Sequence, residues 1–411
     1  MKKKIFLFCL FILVLCSFIF SQTKIISNTK LEKVIEPKLY TEKTVFQDVS
    51  NEQLLEDFEA FEYFLSTSYI AYDEMVQKGF VLEDFAHHIR NKITNDVIIS
   101  SDELIKNIYE NLSNYICDSH FTIANKNSVY NFNPKFYEQN SSLPNDFKMI
   151  TNKNSVYLSM PGLLPDYFME KSFTKEFFKN VYTELNIIKE KKYLIIDLRN
   201  CPGGVTDYPV MLLYSLYEGR QSVIPSDIYD VREFVYETIF SRIKSVKTPV
   251  TESLRYQNAI YTGNKKYEDN LRTSSIMLLK NPKRIIWTDY SKSSQKIHKP
   301  EYKGKIIFLT NNRTASAAEI LILFSKILFP KNIKVIGQNT MGCLTYIDVY
   351  QFMMPNKSFA VSMAFKSIED SLKQFDCWKG EGQGIEPDVI CADDEILPNL
   401  IKITKDKKLR L

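Results

Sequence analysis

Histidine is scarce in this chain: 411 residues carry only four, His87, His88, His120 and His298. Any chemistry that needs an imidazole must draw on those positions. Cysteine occurs seven times but never as Cys-x-x-Cys, which argues against a structural zinc site. Cys9 and Cys16 fall in an N-terminal apolar run. The other five (Cys117, Cys201, Cys343, Cys377 and Cys391) are an odd set that cannot all pair within one chain. No G-x-G-x-x-G or G-x-x-x-x-G-K-[ST] pattern is present, so the common phosphate-cradling loops are missing. The net charge is +4, and it falls to +1 without Lys2, Lys3 and Lys4. That near-balance gives no electrostatic reason to expect a nucleic-acid partner. No internal repeat and no long low-complexity tract interrupt the chain, and nothing in it calls for a metal or a cofactor.

What is present is an ordinary globular composition, 45% hydrophobic and 25% charged, enough for a sizeable buried core. Met-Lys-Lys-Lys precedes an apolar run from Ile5 to Phe20 and then Ser21-Gln22. These are the parts of a secretory signal peptide, cut after Ser21, and they place the chain in the periplasm or outside the cell. An uncleaved anchor, or lipidation of Cys16 in Leu13-Val14-Leu15-Cys16, is the alternative. No stable membrane span is expected once the signal is removed. Residues 22–48 read as a linker or extended arm. Residues 49–116 read as a helical domain, since Leu54, Phe58, Phe61, Phe64 and Leu65 recur at helical spacing. Ser101-Asp102 before Leu104 reads as a second helix start. From residue 117 to 395 strands alternate with helices: Ser155–Ser159, Tyr193–Asp197, Ile306–Leu309 and Val335–Gly337, with a helix from about Ser316 to Leu328. That alternation predicts an α/β fold. Tyr346–Met353 and Phe359–Phe365 flank Pro355-Asn356-Lys357-Ser358 as a hairpin. Residues 396–411 form a C-terminal tail, and the stretch 206–300 carries no clear motif.

Four segments could carry chemistry, and each has a plain alternative. Asp197-Leu198-Arg199-Asn200-Cys201-Pro202-Gly203-Gly204 ends a strand in a Gly-Gly turn. Its backbone N–H groups can hold an anion or oxyanion, or the turn is simply tight. Ser316 sits where a strand turns into a helix, with Glu319 three residues on. That is the spacing of a capping box, and equally a place for an exposed nucleophile. His120, in Cys117-Asp118-Ser119-His120, lies where helix gives way to strand. It is a candidate base with a side-chain pKa near neutrality, or a structural histidine. His87-His88 lie in a helical, exposed stretch and His298 in a Lys-rich loop. Glu381, between Gly380 and Gly382, could orient a histidine, while Glu386-Pro387-Asp388 could simply begin the final strand or loop.

Taken in this order, the segments resemble peptidase family S41, the C-terminal-processing and tricorn-core proteases. Asp197–Gly204 is similar to that family's D-L-R-x-N-P-G-G block, shifted at Asn200-Cys201. Thr314-Ala315-Ser316-Ala317-Ala318-Glu319 is similar to its T-A-S-A-x-E segment, Ile336–Gly342 to I-G-E-x-T-x-G, and Gly384–Asp388 to G-I-x-P-D. The resemblance implies a ClpP/crotonase-like core of stacked ββα units behind an N-terminal helical region. The span between His120 and Ser155 is too short for the PDZ domain that the family often carries. The resemblance makes Ser316 the nucleophile, with the amides of Gly203 or Gly204 and of Ala317 as oxyanion donors. One branch places a lysine base after the T-x-G segment; here that position is Cys343. The other branch uses Ser, His, a second Ser and Glu, which maps onto Ser316, His120, Ser119 and Glu381.

The implied activity is hydrolysis of peptide bonds in peptides or unfolded proteins through an acyl-enzyme on Ser316. His120 would be the base, with activity rising with pH through roughly 6–7. Ser119 and Glu381 would hold its tautomer. A catalytically weak relative that binds a hydrophobic small molecule or peptide, and an esterase using the same residues, are the competing readings. Cys343 as nucleophile is a lesser one. Oligomeric state is not readable.

Overall fold

Behind a short β1 (Lys38–Leu39), local caps set the first helices. Ser50 accepts the Gln53 N–H at 3.3 Å, and Gln53 accepts the Ser50 N–H at 3.0 Å. This reciprocal box starts α1, Asn51–Ser68. Leu54, Phe58, Phe61, Phe64 and Leu65 are all fully buried, each side chain stabilising the fold by about 1.5–3 kcal/mol. α2 (Tyr72–Gln77), α3 (Leu82–Thr94) and α4 (Ser101–Leu112) follow. The α4 cap is Ser100, one residue ahead of the expected start. Its hydroxyl accepts the Glu103 N–H, and the Glu103 carboxylate accepts the Ile99 N–H.

The computed structural model describes residues 38–40, 44–133, 135, 146–163, 173–205, 207–219, 238–262, 285–290 and 299–411. The expected signal peptide with Cys16, most of the expected arm, His298 and much of 206–300 therefore lie outside the described residues. Along the chain come β2 (Thr122–Ala124), β3 (Val129–Asn131), β4 (Lys148–Thr151), β5 (Ser155–Ser159), α5 (Phe173–Thr183), α6 (Leu185–Glu190) and β6 (Tyr193–Asp197). Then follow α7 (Asp207–Glu218), β7 (Arg242–Val246), α8 (Pro249–Thr262), β8 (Ile285–Asp289), β9 (Lys305–Thr310), α9 (Ala317–Leu328) and β10 (Ile333–Gly337). The chain closes with β11 (Tyr346–Met353), β12 (Ala360–Ser367), α10 (Glu369–Leu372), β13 (Val389–Ile390) and α11 (Ile396–Thr404).

Two sheets result, in a mixed α/β fold. The first runs β13-β10-β9-β6-β5-β4, parallel except for the β4–β5 pair. Its central strands are buried on both faces, as parallel strands under crossover helices must be. Leu194, Ile196, Ile306 and Phe308 face a core made with α5, α7 and α9. Ile195, Ile307 and Leu309 face the opposite core, closed by Ile396 and Leu400 of α11. The second sheet is antiparallel: β1-β11-β12-β2-β3, with β7 on β12 and β8 on β7. β11 and β12 form the expected hairpin, Met353 opposite Ala360. The α1 carboxylate Asp57 accepts the N–H groups of Asn356 and Ser358 in its turn. The helices α1–α4 share one continuous core with this sheet, from Phe58 and Phe61 through Phe121 to Phe352 and Phe365. Among the described residues no helix is long and apolar enough to cross a membrane.

Candidate active site

The site lies where the two sheets meet. From the parallel sheet, β9 ends and the chain turns into α9 at Ser316, with φ 53° and ψ −116°. That conformation is costly for a residue with a Cβ, about 1–3 kcal/mol, and survives only where neighbours enforce it. The enforcement is visible. The Asn311 amide and the Asn200 backbone lock together, with Asn200 N–H to Asn311 Oδ1 at 3.0 Å and Asn311 Nδ2 to Asn200 Oδ1 at 3.1 Å. Thr314 Oγ1 donates to the Leu198 carbonyl at 2.8 Å, and Ala315 N–H to the Cys201 carbonyl at 2.9 Å. The Gly-Gly turn is thereby pressed onto the serine. A Cβ on Gly203 (φ 95°) would lie 2.8 Å from Ser316 Cβ and 2.9 Å from Ala317 N. Only glycine fits that approach.

The expected capping box is only half made. Glu319 accepts the Ser316 N–H at 2.9 Å, but the serine hydroxyl makes no cap hydrogen bond. It points elsewhere: Ser316 Oγ is 3.3 Å from His120 Nε2. His120 arrives from the other sheet, just ahead of β2. Burial pulls its pKa down to about 4, against a hydrogen bond with the Tyr346 backbone that favours the charged form. The free imidazole is thus neutral through the physiological range and able to accept a proton.

Cys343 also touches the ring, its sulfur 3.3 Å from Nε2 and 3.7 Å from Nδ1. A donor on one nitrogen's lone-pair axis would be far from the other nitrogen. The near-equal distances put the sulfur against the ring and off that axis. Burial, then the charges of Glu381 and Glu319, pushes this thiol well above its ordinary range, so it is protonated and a poor nucleophile.

Ser119 and Glu381 come close but do other work than expected. Ser119 Oγ accepts from Asn133 Nδ2 at 2.5 Å and donates to the Gly342 carbonyl at 3.4 Å. Glu381 accepts the N–H groups of Ser119, Leu344 and Thr345 at 3.3, 3.2 and 2.8 Å. Among the described residues neither side chain hydrogen-bonds the His120 ring. Glu319 mirrors Glu381 from the other side: it accepts from Gly342 N–H and Cys343 N–H, each at 2.9 Å, and from the Thr340 hydroxyl. Two carboxylates therefore stitch one segment, 340–345, to the nucleophile turn at one end and to the histidine turn at the other. Burial raises the pKa of Glu319, and raises that of Glu381 well above the carboxylate range with the charge of Asp118 adding to it.

Asp118, two residues before the histidine, has no role in the sequence motifs. It is fully buried, and its carboxylate accepts the His120 N–H at 2.7 Å and the Tyr69 hydroxyl at 3.0 Å. Burial pushes its pKa up to about 7. Its only sequence signal was its place two residues before the histidine, where a carboxylate can cap its own turn. The expected oxyanion donors are split. The Gly203 backbone faces the buried Cys201 thiol, while Ala317 begins α9, where its N–H has no intrahelical acceptor. Gly203 O and Val205 N–H are both spent on Leu163, and among the described residues the Gly204 N–H has no hydrogen-bond partner. Among the described residues, no group of three or more His, Cys, Asp or Glu could hold a metal ion.

Among curated proteins none matches the sequence. Several solved structures align along most of the chain at low identity. A lipoprotein from Streptococcus agalactiae is 16% identical, covers 88% of this chain and 99% of its own, and gives a TM-score of 0.47. Mature CPAF is 10% identical, with coverages of 86% and 97% and a TM-score of 0.49. The photosystem II D1 C-terminal processing protease is 15% identical, with coverages of 62% and 47% and a TM-score of 0.29. Residues 166–391, more than half of the sequence and including Gly203, Ser316, Glu319 and Glu381, match Peptidase family S41. The chain belongs to peptidase family S41 and is a serine-type peptidase.

Proposed function

We propose that the protein hydrolyses peptide bonds in peptides or unfolded proteins through an acyl-enzyme on Ser316, with His120 as general base. The observation that carries this reading is the 3.3 Å approach of Ser316 Oγ to His120 Nε2 across the seam between the sheets. It is reinforced by a serine held at φ 53° with its hydroxyl released from capping. Ser316 Oγ attacks the scissile carbonyl carbon as its proton passes to His120 Nε2. The negative charge that develops on the carbonyl oxygen meets the N–H groups of Gly204 and Ala317, at the positive end of α9. Gly203 is the close-packed spacer. Collapse breaks the C–N bond, and the imidazolium returns its proton to the leaving amine. Water, deprotonated by His120, then attacks the acyl carbon and releases the carboxylic acid and free Ser316. Ser119 and Glu381 act through the backbone of the histidine turn, not on the ring. Residues 117–395 form the catalytic part of this reading and 49–116 its support.

A fluorophosphonate should label Ser316 alone, identified by peptide mass spectrometry, and His120→Ala should abolish both labelling and turnover. Retained hydrolysis in His120→Ala would remove the base assignment. Thiol-reagent-sensitive activity in Ser316→Ala would move the nucleophile to Cys343. Turnover should fall as pH drops through about 4 and not through the 6–7 expected of an unperturbed histidine, because burial disfavours the imidazolium.

Export belongs to the same proposal and rests on the basic start and apolar run of residues 1–21. N-terminal sequencing of the mature protein should begin at Gln22. A retained Met1 or an acylated Cys16 would substitute an anchor.

A further inference from the structure

The turn between α1 and α2 reaches the site from outside it, and two hydrogen bonds cross there in opposite directions. Tyr69, at the end of α1, donates from its hydroxyl to Asp118 Oδ2 at 3.0 Å. Asp118 Oδ1 in turn accepts the His120 N–H at 2.7 Å. Tyr346, at the start of β11, donates from its hydroxyl to Glu74 Oε2 of α2 at 2.7 Å. It lies three residues after Cys343, whose sulfur rests against the His120 ring, and its backbone faces that ring closely enough to favour the charged form. Between the two tyrosines the chain is pinned to the sheet, with Ile70 N–H to the Ala364 carbonyl of β12 at 3.3 Å. The Tyr69 ring also stands edge-on to Phe121, the residue after His120, at a centroid distance of 4.8 Å.

We infer that Tyr69, Glu74, Asp118 and Tyr346 are positioning residues for the base. The pair Tyr69–Asp118 fixes the backbone of His120, the pair Glu74–Tyr346 fixes the start of the strand that packs beside its ring, and both are anchored on the short stretch from the end of α1 into α2. The geometry favours positioning over fold stability alone because both links end on the same histidine. A buried carboxylate is an expensive way to tie two helices to a sheet that Phe58, Phe61 and Phe121 already hold. Asp118 sits at that cost, fully buried. Reorienting an imidazole by a fraction of an ångström relative to its serine is enough to slow proton transfer, while substrate binding is untouched.

The inference rests on His120 being the base, and the experiment separates the two. Tyr69→Phe keeps the ring against Phe121 and removes only the hydroxyl. Tyr346→Phe does the same for the second link. Each should lower kcat about 10-fold with KM held within about twofold. Glu74→Ala should match Tyr346→Phe, and Glu74→Gln, which keeps an acceptor oxygen, should recover most of the loss. Adding Tyr69→Phe to His120→Ala should cost nothing further, since the group it positions is gone. With four histidines in the chain, the His120 ring signal in a 15N-histidine spectrum can be assigned by loss in His120→Gln. That signal should shift or broaden in Tyr69→Phe, and this readout does not depend on His120 being the base. Wild-type kcat in both tyrosine variants with an unmoved His120 signal would overturn the clamp and leave His120 as base. Full activity in His120→Ala, with the signal still moved by Tyr69→Phe, would overturn the base and leave the clamp as geometry only.

Discussion

The proposed nucleophile and the proposed base are held by different means. Ser316 is positioned by short-range backbone strain in the parallel sheet, where φ 53° is enforced by hydrogen bonds between the Asn200 and Asn311 turns. His120 has an ordinary turn and no strained dihedral of its own. Its place is set by buried side chains from far along the chain, Tyr69 through Asp118, and Glu381 through the Ser119 amide. The serine side is a rigid mould; the histidine side is a network. A mould fails by steric intrusion, whereas a network fails by loss of a donor or acceptor.

Substituting the reacting groups themselves should have the largest effect. Ser316→Ala and His120→Ala should each cost about 10⁴-fold in kcat, and the double variant no more than the worse single one. Additive losses in steady-state kinetics would mean that the two residues do not act on one proton. The mould comes next. Gly203→Ala forces a Cβ to within 2.8 Å of Ser316 Cβ and should cost about 10²-fold in kcat even where the protein still folds. A fully active, fully stable Gly203→Ala would sink the idea that this approach shapes the site. Glu319→Ala strands three backbone N–H groups and should lower stability by about 3 kcal/mol in urea titrations. An unchanged midpoint would mean water replaces the carboxylate.

The remaining effect is a pH slope. The folded-state pKa of Asp118 is raised from 3.8 to about 7 by burial, so the folded protein holds a proton there that the unfolded chain has given up. The stability linked to that proton is complete below about pH 4 and is lost as pH rises through about 7. Asp118→Asn should flatten the decline, and a melting temperature that climbs over this interval in the wild type would contradict it.

The sequence showed the nucleophile side more fully than the base side, for the same physical reason. β5, β6, β9 and the start of α9 follow from local apolar runs and turn chemistry, and the Gly-Gly and Ser316 turns are contiguous motifs. The histidine network is made of contacts between residues far apart in the chain, such as His120 with Ser316 or Tyr346 with Glu74, and no local spacing encodes them. Asp118 stood beside His120 without being assigned because its Tyr69 partner is 49 positions away. Ser119 and Glu381 lie beside the histidine turn. The atoms they use are backbone amides, which sequence resemblance does not specify. The capping reading of Ser316 was half right, because Glu319 reaches back while the hydroxyl is claimed from another sheet.

The seam between the sheets also bears on how the chain survives its own synthesis. Its hydrolytic pair is split between elements that are made at different times: the His120 turn emerges first, Ser316 later, and Glu381 nearly last. Neither sheet alone brings Ser316 and His120 together. On the proposed mechanism, a partly made or partly folded chain therefore does not yet carry the assembled pair, and completing the seam is the step that assembles it.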